Sequence, residues 1–169
     1  MPGLEHISLR ACIQLSDAVL AHLQHLSSLK SLDLALCSGL TAAGLRPLVA
    51  MSLPLCKLGL SGVAWVQSEV IMQLGSLKSL RSIDLSSCPN ADDSAVEALA
   101  SLTTLENINL ESCHSITDAG VAHLRRLPSL EYLNALSCDK VSWQGLQRLR
   151  ESYDSLVLEE PPTARLALD

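Results

Sequence analysis

LENINLESCHSITDAGVAHL, Leu105 to Leu124, is the stretch whose reading decides the fold. Leu105, Ile108, Leu110 and Cys113 are spaced by three, two and three residues. Within them Ile108-Asn109-Leu110 alternates inward apolar with outward polar, the two-residue period of a half-buried strand. Past Cys113 the period changes. Ile116 lies three on, Thr117 four on, and Val121, Leu124 and Leu127 lie eight, eleven and fourteen on, which are helical spacings. Thr117 occupies the place where an N-cap side chain accepts a backbone N–H, and Asp118 suits the positive end of the helix dipole. The stretch therefore predicts a short strand, a turn at the cysteine and a helix.

Working outward, the same pattern returns about every 25 residues. Cys12, Cys37, Cys88, Cys113 and Cys138 are separated by 25, 51, 25 and 25 residues, with Val63 filling the gap. Ahead of these positions stand Leu4, Ile7, Leu9; Leu29, Leu32, Leu34; Leu55, Leu58, Leu60; Leu80, Ile83, Leu85; and Leu130, Leu133, Ala135. A seventh, incomplete copy reads Tyr153, Leu156, Leu158, Pro161. Ser16, Thr41 and Ser142 repeat the N-cap position, and Asp17 and Asp93 the first-turn acid. One such unit cannot bury its own leucines, but stacked copies close a continuous apolar prism. Strands occupy less width than helices, so the stack should curve with its strands on the concave wall. Truncating an interior leucine such as Leu110 should cost ~2–5 kcal/mol.

Composition agrees with that architecture. Of 169 residues, 48% are hydrophobic and 18% charged, leucine fills about a fifth of the chain, and Phe is absent. The core must be aliphatic. A net charge of −6 and a pI near 5.3 argue against nucleic acid, which needs clustered Lys and Arg. No apolar run approaches the roughly 20 residues that span a bilayer, and the amino terminus lacks the pattern of a secretory signal. The expectation is an intracellular protein, cytoplasmic or nuclear, without a membrane partner and with reduced thiols.

These residues match L-x-x-L-x-L-x-x-N/C-x-L, and the chain resembles the cysteine-containing leucine-rich repeat proteins, in which Cys takes the asparagine slot and an [ST]-D-x-G step opens the helix. The resemblance implies an α/β solenoid, a right-handed β-α superhelix or horseshoe with a parallel sheet on the concave face and helices on the convex face. It spans roughly residues 4 to 158, as one domain over 1–162 of about six and a half repeats, followed by a tail at 163–169. F-box leucine-rich repeat proteins, which present substrates to a Skp–cullin ubiquitin ligase, are similar, as is the mitotic-exit antagonist family. An F-box would have to precede the first repeat, where only Met1, Pro2 and Gly3 stand. A polar N-terminal cap is also missing, so the first repeat should expose its leucines or dock into a larger assembly. Glu159, Glu160, Pro161 and Pro162 should stop strand pairing at the other end.

Repeat three departs from its sisters: Val63 replaces the cysteine, one residue is gained at MSLPLCK, and Trp65 enters the turn. Pro47 falls in what would be helix interior, where it removes a hydrogen bond. An irregularity between Gly44 and Val70 is expected. The cysteine column suits small buried niches, each thiol able to satisfy a turn amide, rather than a metal ladder or disulfides. Cys56 lies off the column and is the better candidate for a reactive thiol. His22 and His25 lack companion ligands, and the Arg125, Arg126, Arg148 and Arg150 cluster suits a solvated face. Trp65 and Trp143 are either interface anchors or junction packing. No phosphate loop, nucleophile elbow or recurrent His–carboxylate pairing appears, so no enzyme activity, cofactor or metal is expected.

The outward strand positions are the candidate site, because a parallel sheet holds them at fixed pitch. One column reads Ser8, Asp33, Gly59, Asp84, Asn109, Asn134 and Val157; its neighbour reads Arg10, Ala35, Ser61, Ser86, Glu111, Leu136 and Glu159. His6, Lys57, Asn107 and Tyr132 flank them. The expected partner-binding residues are His6, Arg10, Asp33, Asp84, Asn109, Glu111, Tyr132 and Asn134. The partner is a protein, basic or rich in hydrogen-bonding groups, steered by charge.

Overall fold

Ile83, Ile108 and Leu133 are each the buried middle residue of a three-residue strand whose two neighbours face away from the core. The computed structural model describes residues 3–23, 25–51 and 53–159, and in them the sheet has seven strands, six of three residues and a last one of two. The strands are β1 (His6–Ser8), β2 (Ser31–Asp33), β3 (Lys57–Gly59), β4 (Ser82–Asp84), β5 (Asn107–Asn109), β6 (Tyr132–Asn134) and β7 (Val157–Leu158). They form one parallel sheet in sequence order, each strand paired with the next. The returning helices are α1 (Asp17–Leu23), α2 (Arg46–Ala50), α3 (Ser68–Gln73), α4 (Asp93–Leu99), α5 (Asp118–His123) and α6 (Trp143–Arg150). They cover one face and leave the other open.

The core between the two layers is the expected aliphatic prism. Leu34, Leu60, Leu85 and Leu110 are fully buried, as are Cys37, Cys88 and Cys113, and Val63 is nearly so. N-caps form where the sequence places them: Thr41 accepts from Ala43 N, Thr117 from Ala119 N and Ser142 from Gly145 N. Asp92 caps α4 through Ala95 N.

The turn before each column residue needs a left-handed backbone, with φ between 56° and 71° at Ala11, Leu36, Gly62, Ser87, Ser112 and Ser137. Only repeat three supplies glycine. Elsewhere the ladder to the next coil holds the strained residue, as where Ser112 N donates to Leu136 O at 2.8 Å.

Three expectations change. Pro47 does not sit in a helix interior: residues Ala42–Leu45 form a 3-10 turn, and Pro47 falls in the first turn of α2, where no N–H is needed. The convex element of repeat two is accordingly short, within the irregularity expected between Gly44 and Val70. The seventh copy is displaced by two residues, because Leu158, not Leu156, pairs with Leu133. Val157 thus follows Tyr132, and Glu159 follows Asn134. Finally, Tyr153 does not begin a strand approach; its hydroxyl sits 2.6 and 2.8 Å from the carbonyls of Leu124 and Leu127. Glu160 to Asp169, with the expected strand stop and tail, lie outside the described residues.

Candidate functional site

Parallel pairing aligns the open-face residues in straight rows: Ser8, Asp33, Gly59, Asp84, Asn109 and Asn134 in one, and His6, Ser31, Lys57, Ser82, Asn107, Tyr132 and Val157 beside it. The first row also fixes the backbone. Asp33, Asp84, Asn109 and Asn134 each turn Oδ1 onto the N–H two residues on, at 2.9, 2.9, 3.1 and 3.0 Å. These Asx turns close the strand ends. Asp33 is further occupied by the Ser8 hydroxyl at 3.2 Å. Gly59 leaves it room, since a Cβ there would stand 2.8 Å from Asp33 Oδ1.

The eight candidates therefore divide along the wall. His6 and Arg10 are exposed at the β1 end, away from the others. At the far end Tyr132 donates to Glu159 at 2.9 Å, and burial with that bond pushes its hydroxyl up to about 12. Asn134 is buried and donates to Glu111 Oε2 at 3.2 Å. The centre keeps the most unused capacity. Asp84 and Asn109 are adjacent partners in the ladder, and Glu111 follows two residues after Asn109. Ser86 donates to Ser61 at 2.9 Å, tying the neighbouring row together.

The thiol column is structural: turn amides of the preceding coil, at Cys12, Val63, Cys88 and Cys113, face the sulfurs of Cys37, Cys88, Cys113 and Cys138 as expected, and each thiol also donates. Cys37, Cys88, Cys113 and Cys138 donate to the carbonyls of Leu9, Leu60, Leu85 and Leu110, each in the preceding coil, at 3.0 to 3.2 Å. Burial pushes the Cys88 and Cys113 thiols up to about 11 and about 12. Cys12, at the first coil, is exposed. Cys56 is half-buried, its thiol 3.6 Å from Pro54 O. Trp65 and Trp143 are half-buried against the core. Among the described residues no group of His, Cys, Asp or Glu could hold a metal, and no helix is long and apolar enough to cross a membrane.

The family model described as Leucine Rich repeat matches residues 25–49 and 101–124. Together with the seven-strand sheet, it identifies the repeat and the fold. The chain is a leucine-rich repeat protein. Solved structures agree on the fold. A chain of the yeast Rad7 and Elc1 complex superposes with a TM-score of 0.68 at 21% identity, over 85% of this chain and 39% of that one. Internalin C2 of Listeria monocytogenes gives 0.54 at 22%, over 82% and 54%. A chain of the Drosophila melanogaster SNF/U2A' complex gives 0.52 at 18%, over 96% and 86%. This leucine-rich repeat protein thus spans about two fifths of the Rad7–Elc1 chain and about half of the internalin chain. No curated protein sequence matches it.

In this leucine-rich repeat protein, the first-turn aspartates do more than suit a dipole. Asp17, Asp93 and Asp118 reach into the next coil, where each carboxylate receives both the N–H and the hydroxyl of Thr41, Thr117 and Ser142, at 2.6 to 2.9 Å. Gly44, Gly120 and Gly145 lie against these carboxylates, and a Cβ at any of them would collide with the aspartate. The signal was available in the sequence: all three glycines follow, 27 residues on, the three aspartates.

Proposed function

We propose that this leucine-rich repeat protein is a non-catalytic interaction module that binds a protein on the open face of its sheet. The observation that carries the reading is the row of Asx turns, which fixes Asp84, Asn109 and their neighbours at strand pitch before any partner arrives. Groups ordered in advance lower the cost of association. The central Asp84–Asn109–Glu111 group favours a basic or hydrogen-bonding surface. Asp84→Asn with Glu111→Gln keeps the turn-closing oxygen and the shape but removes both charges. A partner held through this face is captured from native cells by the wild type and lost by the double variant. An identical set of captured proteins would end the reading.

A second reading, a subunit docking edge-on in a larger assembly, is favoured by the first coil. Leu4, Ile13 and Val19 are exposed, and the β1 edge carries no neighbouring strand in the described residues. The likeness to chains solved in the Rad7–Elc1 and SNF/U2A' complexes fits either reading. Substrate recognition in a ubiquitin ligase, with an F-box on another segment, rests on the resemblance to F-box leucine-rich repeat proteins; co-purification of a Skp-type adaptor from native cells tests it.

A further inference from the structure

The two last helical grooves of the convex face are built alike but charged differently. Asp93 and Gly120 flank the α4–α5 groove, and Asp118 and Gly145 flank the α5–α6 groove, one 25-residue period later. In the first groove, Glu97 supplies a carboxylate that meets Arg126 at 3.3 Å and lies 4.0 Å from His123 Nδ1. One period on, Glu97 becomes Ala122, His123 becomes Arg148, and Ala100 becomes Arg125. The Glu97 carboxylate is gone, Arg126 gives way to Glu151, and the two basic side chains of the groove are now both arginines.

That substitution leaves a hollow of about 130 Å³ lined by Asp118, Ala122, Arg125, Arg148, Leu149 and Ser152, with Gly145 at its wall. Among the described residues, neither Arg125 nor Arg148 makes an ion pair or a side-chain hydrogen bond, and Glu151, in the place of Arg126, makes none with them. Asp118 is no substitute for Glu97, since Ser142 already donates to both of its oxygens, at 2.7 and 2.6 Å. Two guanidinium forks over a small apolar floor match a carboxylate, which arginine binds through paired hydrogen bonds.

We propose that the α5–α6 groove is a binding site for a glutamate or aspartate side chain of an acidic protein segment, seated where Glu97 sits in the groove before it. The site lies on the helical side and does not rest on the reading of the sheet face.

The test is amide chemical-shift titration of the full chain, at physiological salt, with a capped tetraglutamate peptide and a capped tetraglutamine control. Saturable shifts at Gly145, Arg148 and Ser152 are expected with tetraglutamate only. Arg125→Gln with Arg148→Gln should weaken binding roughly tenfold or more, the size of one lost charge-assisted hydrogen bond. Ala122→Glu, at an exposed position, should fold normally and abolish binding by filling the groove with its own carboxylate. Arg46→Gln, on α2, should bind as the wild type. Absence of saturation, equal binding of tetraglutamine, wild-type binding by Ala122→Glu or by the double variant, or equal loss in Arg46→Gln would each overturn the proposal.

Discussion

The Asp93 carboxylate accepts the Thr117 N–H and the Thr117 hydroxyl, both at 2.7 Å, and so bolts the first turn of α4 to the cap of α5. Gly120 exists to make room for it: a Cβ there would approach Asp93 Cα to 3.1 Å as well as striking the carboxylate. Gly120→Ala should therefore destabilise the protein although alanine is the better helix former, by ~1–3 kcal/mol as overpacking does. Asp93→Ala should cost ~1.5–3 kcal/mol through the charged hydrogen bonds. The two losses should not add, because removing the carboxylate removes the two shortest contacts and leaves only the 3.1 Å approach to Asp93 Cα. Urea unfolding of both single variants and the double variant checks this; strict additivity would deny the clamp.

Much of the fold was legible because the repeat is written in residues whose burial is periodic. Leu110 and its equivalents can only be inside, and a period of 25 lets nothing else satisfy them. The seventh copy was misread because Tyr153, Leu156 and Leu158 reproduce the apolar spacing two residues out of phase, and only ladder pairing reveals that Leu158 belongs under Leu133. The clamp escaped notice since its members belong to different coils: Asp118 is plausible alone as a dipole residue, and Gly145 alone as a turn residue. For the wall, the rows were legible from strand alternation, whereas the use of Asp33 and Asn109 as turn-closers depends on backbone direction after the strand.

Alkaline solution should loosen the core through the thiol column. Burial pushes the Cys88 and Cys113 thiols up to about 11 and about 12 in the folded chain, from the 9 of an ordinary thiol. Above pH 9 the unfolded chain releases these protons first, so the folded state binds more and stability falls as pH rises. The contribution is complete below pH 9 and is lost progressively between 9 and 12. Tyr132, raised from 10 to about 12, acts in the same direction. Urea midpoints should decline over this range, and Cys88→Ala with Cys113→Ala should flatten the decline. At pH 8 a thiol reagent should label exposed Cys12 rapidly and leave Cys113 unlabelled until unfolding.

The left-handed turns hold strain that glycine would release. Ser112 has φ 58°, while Gly62 has φ 71° at the same station. A left-handed residue costs about 1–2 kcal/mol, and glycine returns about 0.5–1 kcal/mol of that as unfolded-state entropy. Ser112→Gly should stabilise the protein by up to ~1 kcal/mol. Gly62→Ala should do the reverse, since alanine at φ 71° takes on the strain that glycine avoids, while the exposed Leu36 side chain can swing away from the new Cβ. Thermal unfolding of the two variants gives the signs, and a destabilised Ser112→Gly would refute the strain argument.

The joint between coils two and three should be the weakest in the stack. Aspartate clamps join coils one to two, four to five and five to six, but Ala42 stands where repeat two would need the aspartate, and Gln67 gives α3 no side-chain cap. Val63 interrupts the thiol column, so no cysteine donates from coil three to coil two. Trp65 Nε1 is buried without a partner in the same coil. The convex layer is discontinuous too: α3 packs on α4, while α2 reaches mainly the 3-10 turn Leu74–Ser76, with Ser76 donating to Val49 O at 3.0 Å. The sheet ladder continues across, with Leu34 N on Gly59 O at 2.8 Å, so the joint is soft rather than severed. In a one-dimensional stack a weak interface lets one block open before the other. Native-state hydrogen exchange along a urea gradient should show the ladder amides of Leu34 and Leu36 opening at a lower free energy than those of Leu85 and Leu110. Restoring a link tests the cause. Val63→Cys returns a thiol to the column, and it should narrow the gap between the two sets of amides if its proton reaches the Leu34 carbonyl as its sisters' protons reach theirs. A single common opening energy in the wild type would show that packing alone makes the seven-strand stack one unit.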